Sequence, residues 1–153
     1  MKEIRSRSPG KLMAPLSWLI LAGFLPAQAA TNDISLQFHY GVNWAGAEFG
    51  QALPGTEGRE YRWPTAESLD YWQSRHVGLI RLPFMWERLQ PVLMKDFDPA
   101  YSAGLERSVK LMRERGMKVL LDVHNYAHYR KESIGSRKVP VEAFADLWRR
   151  LAE

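Results

Sequence analysis

Three largely apolar runs, each handing over to a loop of polar and aromatic residues and each followed by an amphipathic stretch, constrain this sequence more than any other feature. They are residues 34–43 (ISLQFHYGVN), 77–84 (VGLIRLPF) and 117–124 (MKVLLDVH). Their β-branched and aromatic content predicts strands. Between them lie helix signals. Thr65, after Pro64, can cap a helix carrying Leu69, Trp72 and His76 at three- and four-residue spacing, with Arg75 and Gly78 marking its end. Asp98-Pro99 opens a second helix whose stripe is Tyr101, Leu105, Val109 and Met112, and Gly116 stops it. From Pro140 onward, Val141, Phe144, Trp148 and Leu151 share one helical face. The landmarks Gly41, Arg81 and His124 follow one another at intervals of 40 and 43 residues. Strands alternating with amphipathic helices at this spacing predict βαβ units and a parallel sheet.

The three units begin only after a leader. Lys2, Arg5, Arg7 and Lys11 precede an apolar run over residues 12–25, and small residues follow at Ala27, Ala29 and Ala30. This pattern predicts a secretory signal peptide over residues 1–29, with residues 30–153 forming the folded portion of an extracellular or periplasmic protein. The run is shorter than the roughly 20 residues a hydrocarbon core requires, so no membrane anchor is expected after cleavage. The leader also carries most of the formal net charge of +4. The remaining body is nearly neutral, which argues against a nucleic-acid partner. There is no cysteine, which excludes a disulfide scaffold, a thiol nucleophile and a thiolate zinc site.

In a parallel α/β fold the loops after the strands converge at one end of the sheet, where ligands bind. Here those loops carry Asn43-Trp44, Met85 to Arg88, and His124-Asn125-Tyr126. Strand alternation places Arg81 on the face of Leu79, and His124 on the face of Asp122 and Leu120. The opposite faces, Ile80, Leu82 and Phe84 with Val119, Leu121 and Val123, are wholly apolar and are expected to meet helices. A guanidinium inside a strand calls for an anion, and Asp122 is the candidate within this chain. That pair is equally compatible with a structural and a functional role.

His124 and Asn125 offer a titratable ring and an amide suited to the hydroxyls of a polar ligand, although a lone histidine also serves structurally. His124 and His128 straddle a strand end and a loop, so a metal site is not expected. No Gly-rich phosphate loop follows any strand. Trp44, Trp86, Tyr126 and Tyr129 lie in the same loops, where aromatic rings either stack on sugars or pack as minor core. Glu48, Glu87 and Asp122 supply carboxylates without a spacing that marks a catalytic pair, and Glu87-Arg88 reads as a local surface pair.

Residues 41–50 (GVNWAGAEFG), 80–91 (IRLPFMWERLQP) and 121–129 (LDVHNYAHY), in this order and spacing, resemble the amino-terminal half of a glycoside hydrolase family 5 cellulase. The resemblance extends through Ile134-Gly-Ser136 and residues 143–148. It implies a (β/α)₈ TIM barrel, here a partial one of roughly three βα units, and retaining cleavage of β-1,4-glucan by two glutamates. It also implies supporting catalytic roles for Arg81 and His124. Asn125, Tyr126 and Trp86 would bind substrate, with Trp44 and Glu48 as further candidates. No cofactor is implied, and the full-length enzyme would be a monomer acting on a β-glucan polysaccharide.

In that family the acid/base glutamate follows an asparagine at the end of strand four, and the nucleophile ends strand seven. This chain stops in the helix after strand three, and no Asn-Glu dipeptide occurs in it. A complete barrel takes about 250 residues. The expectation is therefore an amino-terminal fragment lacking both glutamates and inactive alone. The alternatives are a non-catalytic carbohydrate-binding or structural half-barrel, or a relative acting on mannan or another β-glucan.

Overall fold

The computed structural model describes residues 40–153. The leader and the start of the first predicted strand lie outside the described residues. Strand β1 (Gly41–Asn43) is followed by helix α1 (Ala66–Ser74), strand β2 (Leu79–Phe84), a one-turn helix α2 (Trp86–Leu89) and helix α3 (Pro99–Glu114). Strand β3 (Lys118–Val123), a short hairpin β4 (His128–Tyr129) and β5 (Glu132–Ser133), and helix α4 (Val141–Ala152) complete the order. The three longer-range strands form a parallel sheet in the order β1-β2-β3, with Asn43 opposite Arg81 and Arg81 opposite Leu120. This is three successive βα units in an open sheet, the expected part of a (β/α)₈ barrel without closure.

Local chemistry sets the helix limits. Thr65 and Ser68 close a reciprocal capping box on α1. Past its end His76 adopts φ 59°, while His76 N–H and Val77 N–H bond to the carbonyls of Gln73 and Trp72. This is a Schellman stop with histidine where glycine is usual, so His76 lies beyond the helix rather than on its stripe. Asp98 Oδ1 accepts from the N–H groups of Ala100 and Tyr101 at the start of α3, and Gly116 at φ 71° forms the corresponding stop.

The core lies between the outer face of the sheet and the helices. Ile80, Leu82 and Phe84 are fully buried there, with Val119, Leu121 and Val123 partly buried beside them. Tyr101 from α3 packs against Trp63 and Tyr61 at ring separations of 4.9 and 5.0 Å. Burial raises its phenol pKa, and its hydroxyl accepts from Met85 N–H and donates to Ala47 O. Helix α4 corrects one expectation. It buries Ala143 and Leu147, leaves Phe144 and Leu151 half-buried, and exposes Val141 and Trp148. Phe144 rests on Trp86 with ring centroids 5.5 Å apart, so the core meets a face adjacent to the predicted stripe.

Candidate active site

At the carboxyl ends of the strands the inner face of the sheet carries one connected cluster. Arg81 in β2 reaches both neighbouring strands. Its Nη1 donates to Asn43 Oδ1 in β1, and its Nη2 donates to Asp122 Oδ2 in β3 at 2.6 Å. His124 Nδ1 lies 2.9 Å from that same Asp122 oxygen and 3.1 Å from Arg81 Nη2. Guanidinium and imidazole therefore share one side of the sheet, and the carboxylate expected for Arg81 is Asp122. The side chains are half-buried, at 34% exposure for Arg81 and 29% for Asp122. The charge is thus compensated while the cluster stays open to a ligand. Asn43, named in the sequence only as a strand-end loop residue, supplies a second acceptor to the guanidinium from its register position opposite Arg81.

The loops converge as the parallel topology requires. Trp44 N–H bonds to Arg81 O and His124 N–H to Phe84 O, each at 2.9 Å. Tyr126 is 80% exposed beside the cluster, its hydroxyl 3.1 Å from His124 Nε2 and its ring edge-on to the imidazole at 4.9 Å. Trp44 is half-buried and lines a recess of about 370 Å³ with Phe49 and residues 59–62. Glu48 Oε2 accepts from Gly46 N–H at 2.8 Å, a bond that shapes its own loop.

Three further residues have partners that the sequence did not suggest, and the last of them corrects an expectation. Trp86 is fully buried, its Nε1–H donating to Gln90 Oε1 at 2.9 Å and its ring 5.0 Å from buried Tyr129, so it presents no face to a sugar. Asn125 does not offer a free amide. Its Oδ1 accepts from Trp86 N–H at 2.8 Å and its Nδ2 donates to Glu87 Oε2. These two bonds join the loops after β2 and β3. Glu87 and Arg88 are no surface pair: Glu87 binds Asn125 and Arg130 N–H, whereas Arg88 is fully buried.

Arg88 was missed as an organiser. Its Nη atoms donate to the carbonyls of Ala47, Phe49, Gly50 and Ala52, and its guanidinium lies over the Tyr61 ring at 4.9 Å. Backbone acceptors scattered along a distant loop leave no pattern of residue types that sequence reading could use.

A groove of about 590 Å³ between α3 and α4, lined by Leu105, Val109, Leu121 and Leu151, lies on the opposite face of the sheet from the Arg81 cluster.

Parallel βα units place this charge-compensated cluster at the strand carboxyl ends, the position at which (β/α)₈ barrels carry their active sites. The sequence model described as Cellulase (glycosyl hydrolase family 5) matches residues 37–153. The chain belongs to glycosyl hydrolase family 5. It is similar to endo-beta-1,4-glucanase B of Aspergillus niger, 35% identical over 114 residues, covering 74% of this chain and 33% of the relative. Among solved structures it is similar to an endo-beta-1,4-glucanase from Xanthomonas axonopodis pv. citri, with a TM-score of 0.72 and 44% identity over 75% of this chain and 37% of that one. XacCel5A in complex with cellopentaose also matches, at a TM-score of 0.72 and 42% identity over 74% of this chain and 37% of that one. The chain spans about a third of the length of the curated relatives it matches.

Proposed function

We propose that this chain is the amino-terminal, sugar-holding portion of a secreted β-1,4-glucanase. The observation that carries the reading is the Asn43–Arg81–Asp122–His124 cluster on the inner face of the sheet. Asn43 and Asp122 hold the guanidinium in one orientation. The family resemblance gives it the task of supporting a nucleophilic carboxylate from a later strand. His124 and the exposed Tyr126 ring border the position where a glucan unit would lie. A neighbour bound to cellopentaose supports the same ligand class here.

Retaining hydrolysis needs two carboxyl groups about 5–5.5 Å apart, one acting as acid and then base, the other as nucleophile. Glu48, Glu87 and Asp122 are each engaged by Gly46, Asn125 with Arg130, and Arg81 with His124 respectively. None of them is proposed as acid or nucleophile. Polypeptide outside this chain supplies both glutamates in this reading, and the 153-residue chain holds sugar without cleaving it.

The test uses the chain as it stands. It should bind cellopentaose in a calorimetric titration, lose that binding on Arg81→Ala, and release no reducing sugar from a soluble cellulose derivative above the Arg81→Ala background. Turnover above that background overturns the proposed division of labour, and absence of any cello-oligosaccharide binding overturns the glucan assignment. A coding frame that continues past Glu153 into an Asn-Glu pair would support the enzyme reading over a non-catalytic half-barrel.

A further inference from the structure

His124 stands between partners that make conflicting demands. Its Nδ1 lies 2.9 Å from Asp122 Oδ2, which can only accept a proton, and 3.1 Å from Arg81 Nη2, which can only donate one. A single ring nitrogen cannot satisfy both. Arg81 already has anionic and amide acceptors in Asp122 and Asn43. A ring N–H donated to a carboxylate is charge-assisted, whereas a guanidinium N–H donated to a neutral ring nitrogen gains less. The proton therefore belongs on Nδ1, facing Asp122, and Nε2 presents a lone pair to the open side.

That lone pair is met by Tyr126. With Nε2 as acceptor, the Tyr126 hydroxyl at 3.1 Å is the donor. Little else holds the ring. Tyr126 is 80% exposed, and besides that bond its ring meets the imidazole by an edge contact. Its backbone sits at φ 50° and that of Ala127 at φ 59°, left-handed conformations disfavoured for residues with a Cβ. Bonds from His128 N–H to Asn125 O and from Ile134 N–H to Ala127 O fix this turn, so the backbone is held independently of the exposed ring.

We propose that the Tyr126 hydroxyl is a resident stand-in for a sugar hydroxyl at His124. It keeps the imidazole in one tautomer, and only a ligand that brings its own hydroxyl donor to Nε2 displaces it. The inference rests on the glucan reading above and deepens it. Tyr126 becomes a specificity-determining residue that competes with the ligand through its hydroxyl, selecting a ring with a free hydroxyl over a deoxy or O-methylated one.

Two measurements on the 153-residue chain test this. Nitrogen-15 NMR of histidine-labelled protein should show His124 as the Nδ1–H tautomer without sugar; the Nε2–H tautomer overturns the inference. In cellopentaose titrations, Tyr126→Phe removes the competing hydroxyl and keeps the ring, and should bind about three- to tenfold more tightly, as expected for one net hydrogen bond. Weaker binding by Tyr126→Phe would mean that the hydroxyl holds the sugar, and unchanged binding would mean that it does not compete; either overturns the inference alone. Absence of binding by both proteins overturns the glucan reading and this inference with it.

Discussion

Asn125 and Glu87 are joined side chain to side chain, Nδ2 to Oε2, although 38 positions separate them. The other end of the same amide accepts Trp86 N–H, and the other Glu87 oxygen accepts Arg130 N–H at 2.6 Å. One amide and one carboxylate thus tie the segment after β2 to the segment after β3. Substituting Asn125→Ala leaves Trp86 N–H without its acceptor and takes one of two donors from the Glu87 carboxylate, and should lower stability by about 1–3 kcal/mol. Asn125→Asp should cost more, because it sets a second carboxylate against Glu87. Urea unfolding with an unchanged m-value reads both effects; a loss below about 0.5 kcal/mol for Asn125→Ala would show that the two loops are held elsewhere.

Arg88 fixes the loop after β1 through four carbonyls and the Tyr61 ring. Arg88→Met keeps much of the apolar stem but strands those carbonyls. It should destabilise the protein by about 2–3 kcal/mol and speed amide exchange over residues 47–55 more than in β2. Arg88→Lys should restore only part of the protection, since an ammonium cannot span the same acceptors. Equal exchange in the loop for wild type and Arg88→Met would refute the clamp.

Gly104 faces Trp63 across the α3 packing surface, and a Cβ at Gly104 would fall 2.1 Å from Trp63 Nε1. The indole is only 4% exposed and packs on Tyr101, so it has little room to yield. Gly104→Ala should therefore lose about 1–3 kcal/mol from overpacking, despite the better helix propensity of alanine. A stabilised variant in thermal unfolding would show that this contact is softer than its geometry implies.

What could be read beforehand follows from how local each determinant is. Thr65, Asp98-Pro99 and Gly116 announced helix ends because their partners lie within a few residues. Arg81, Asp122 and His124 were legible because strand alternation alone assigns them a face. Helix α2 was not, since it is a single turn whose first residue takes its external bond from Asn125, 39 positions away. The β4–β5 hairpin also escaped: Arg130 at φ 47° and Lys131 at φ 69° occupy turn positions usually marked by Asn or Gly. The fates of Trp86 and Asn125 rest on partners fixed only by tertiary contact. Composition cannot separate a ring that stacks on sugar from one that packs on Tyr129.

Asp146 secures α4. It bonds to Arg149 and Arg150 on its own helix and accepts from Gln90 Nε2 at 3.2 Å, while Arg150 Nη2 reaches Met94 O. Hydrogen bonds from Arg149, then Arg150, hold its carboxyl at about 2 against an ordinary 3.8. A depressed folded-state value means the contribution is complete above the unfolded pKa and fades as pH falls from about 4 toward 2. Amide exchange in α4 should rise across that window in the wild type, and Asp146→Asn should flatten the response. An unchanged profile in the variant would assign the acid sensitivity to other carboxylates.

Strand β3 pairs with β2 alone among the described residues, and its inner face carries Leu120 at 53% exposure. A strand edge that no described strand covers, beside an apolar inner face, is a template for another chain. The 153-residue chain should therefore associate as concentration rises, in sedimentation-velocity runs over a hundredfold range. Burying one leucine is worth about 1.5–3 kcal/mol, so Leu120→Lys should weaken association by at least about tenfold. The substitution lies opposite Arg81 on the same face, which places a second cation near the cluster. A reverse substitution of equal size, Leu120→Gln, separates lost burial from charge repulsion: if burial drives association, Gln should weaken it nearly as much as Lys. A wild-type chain that stays monomeric throughout the range would mean that β3's edge is protected.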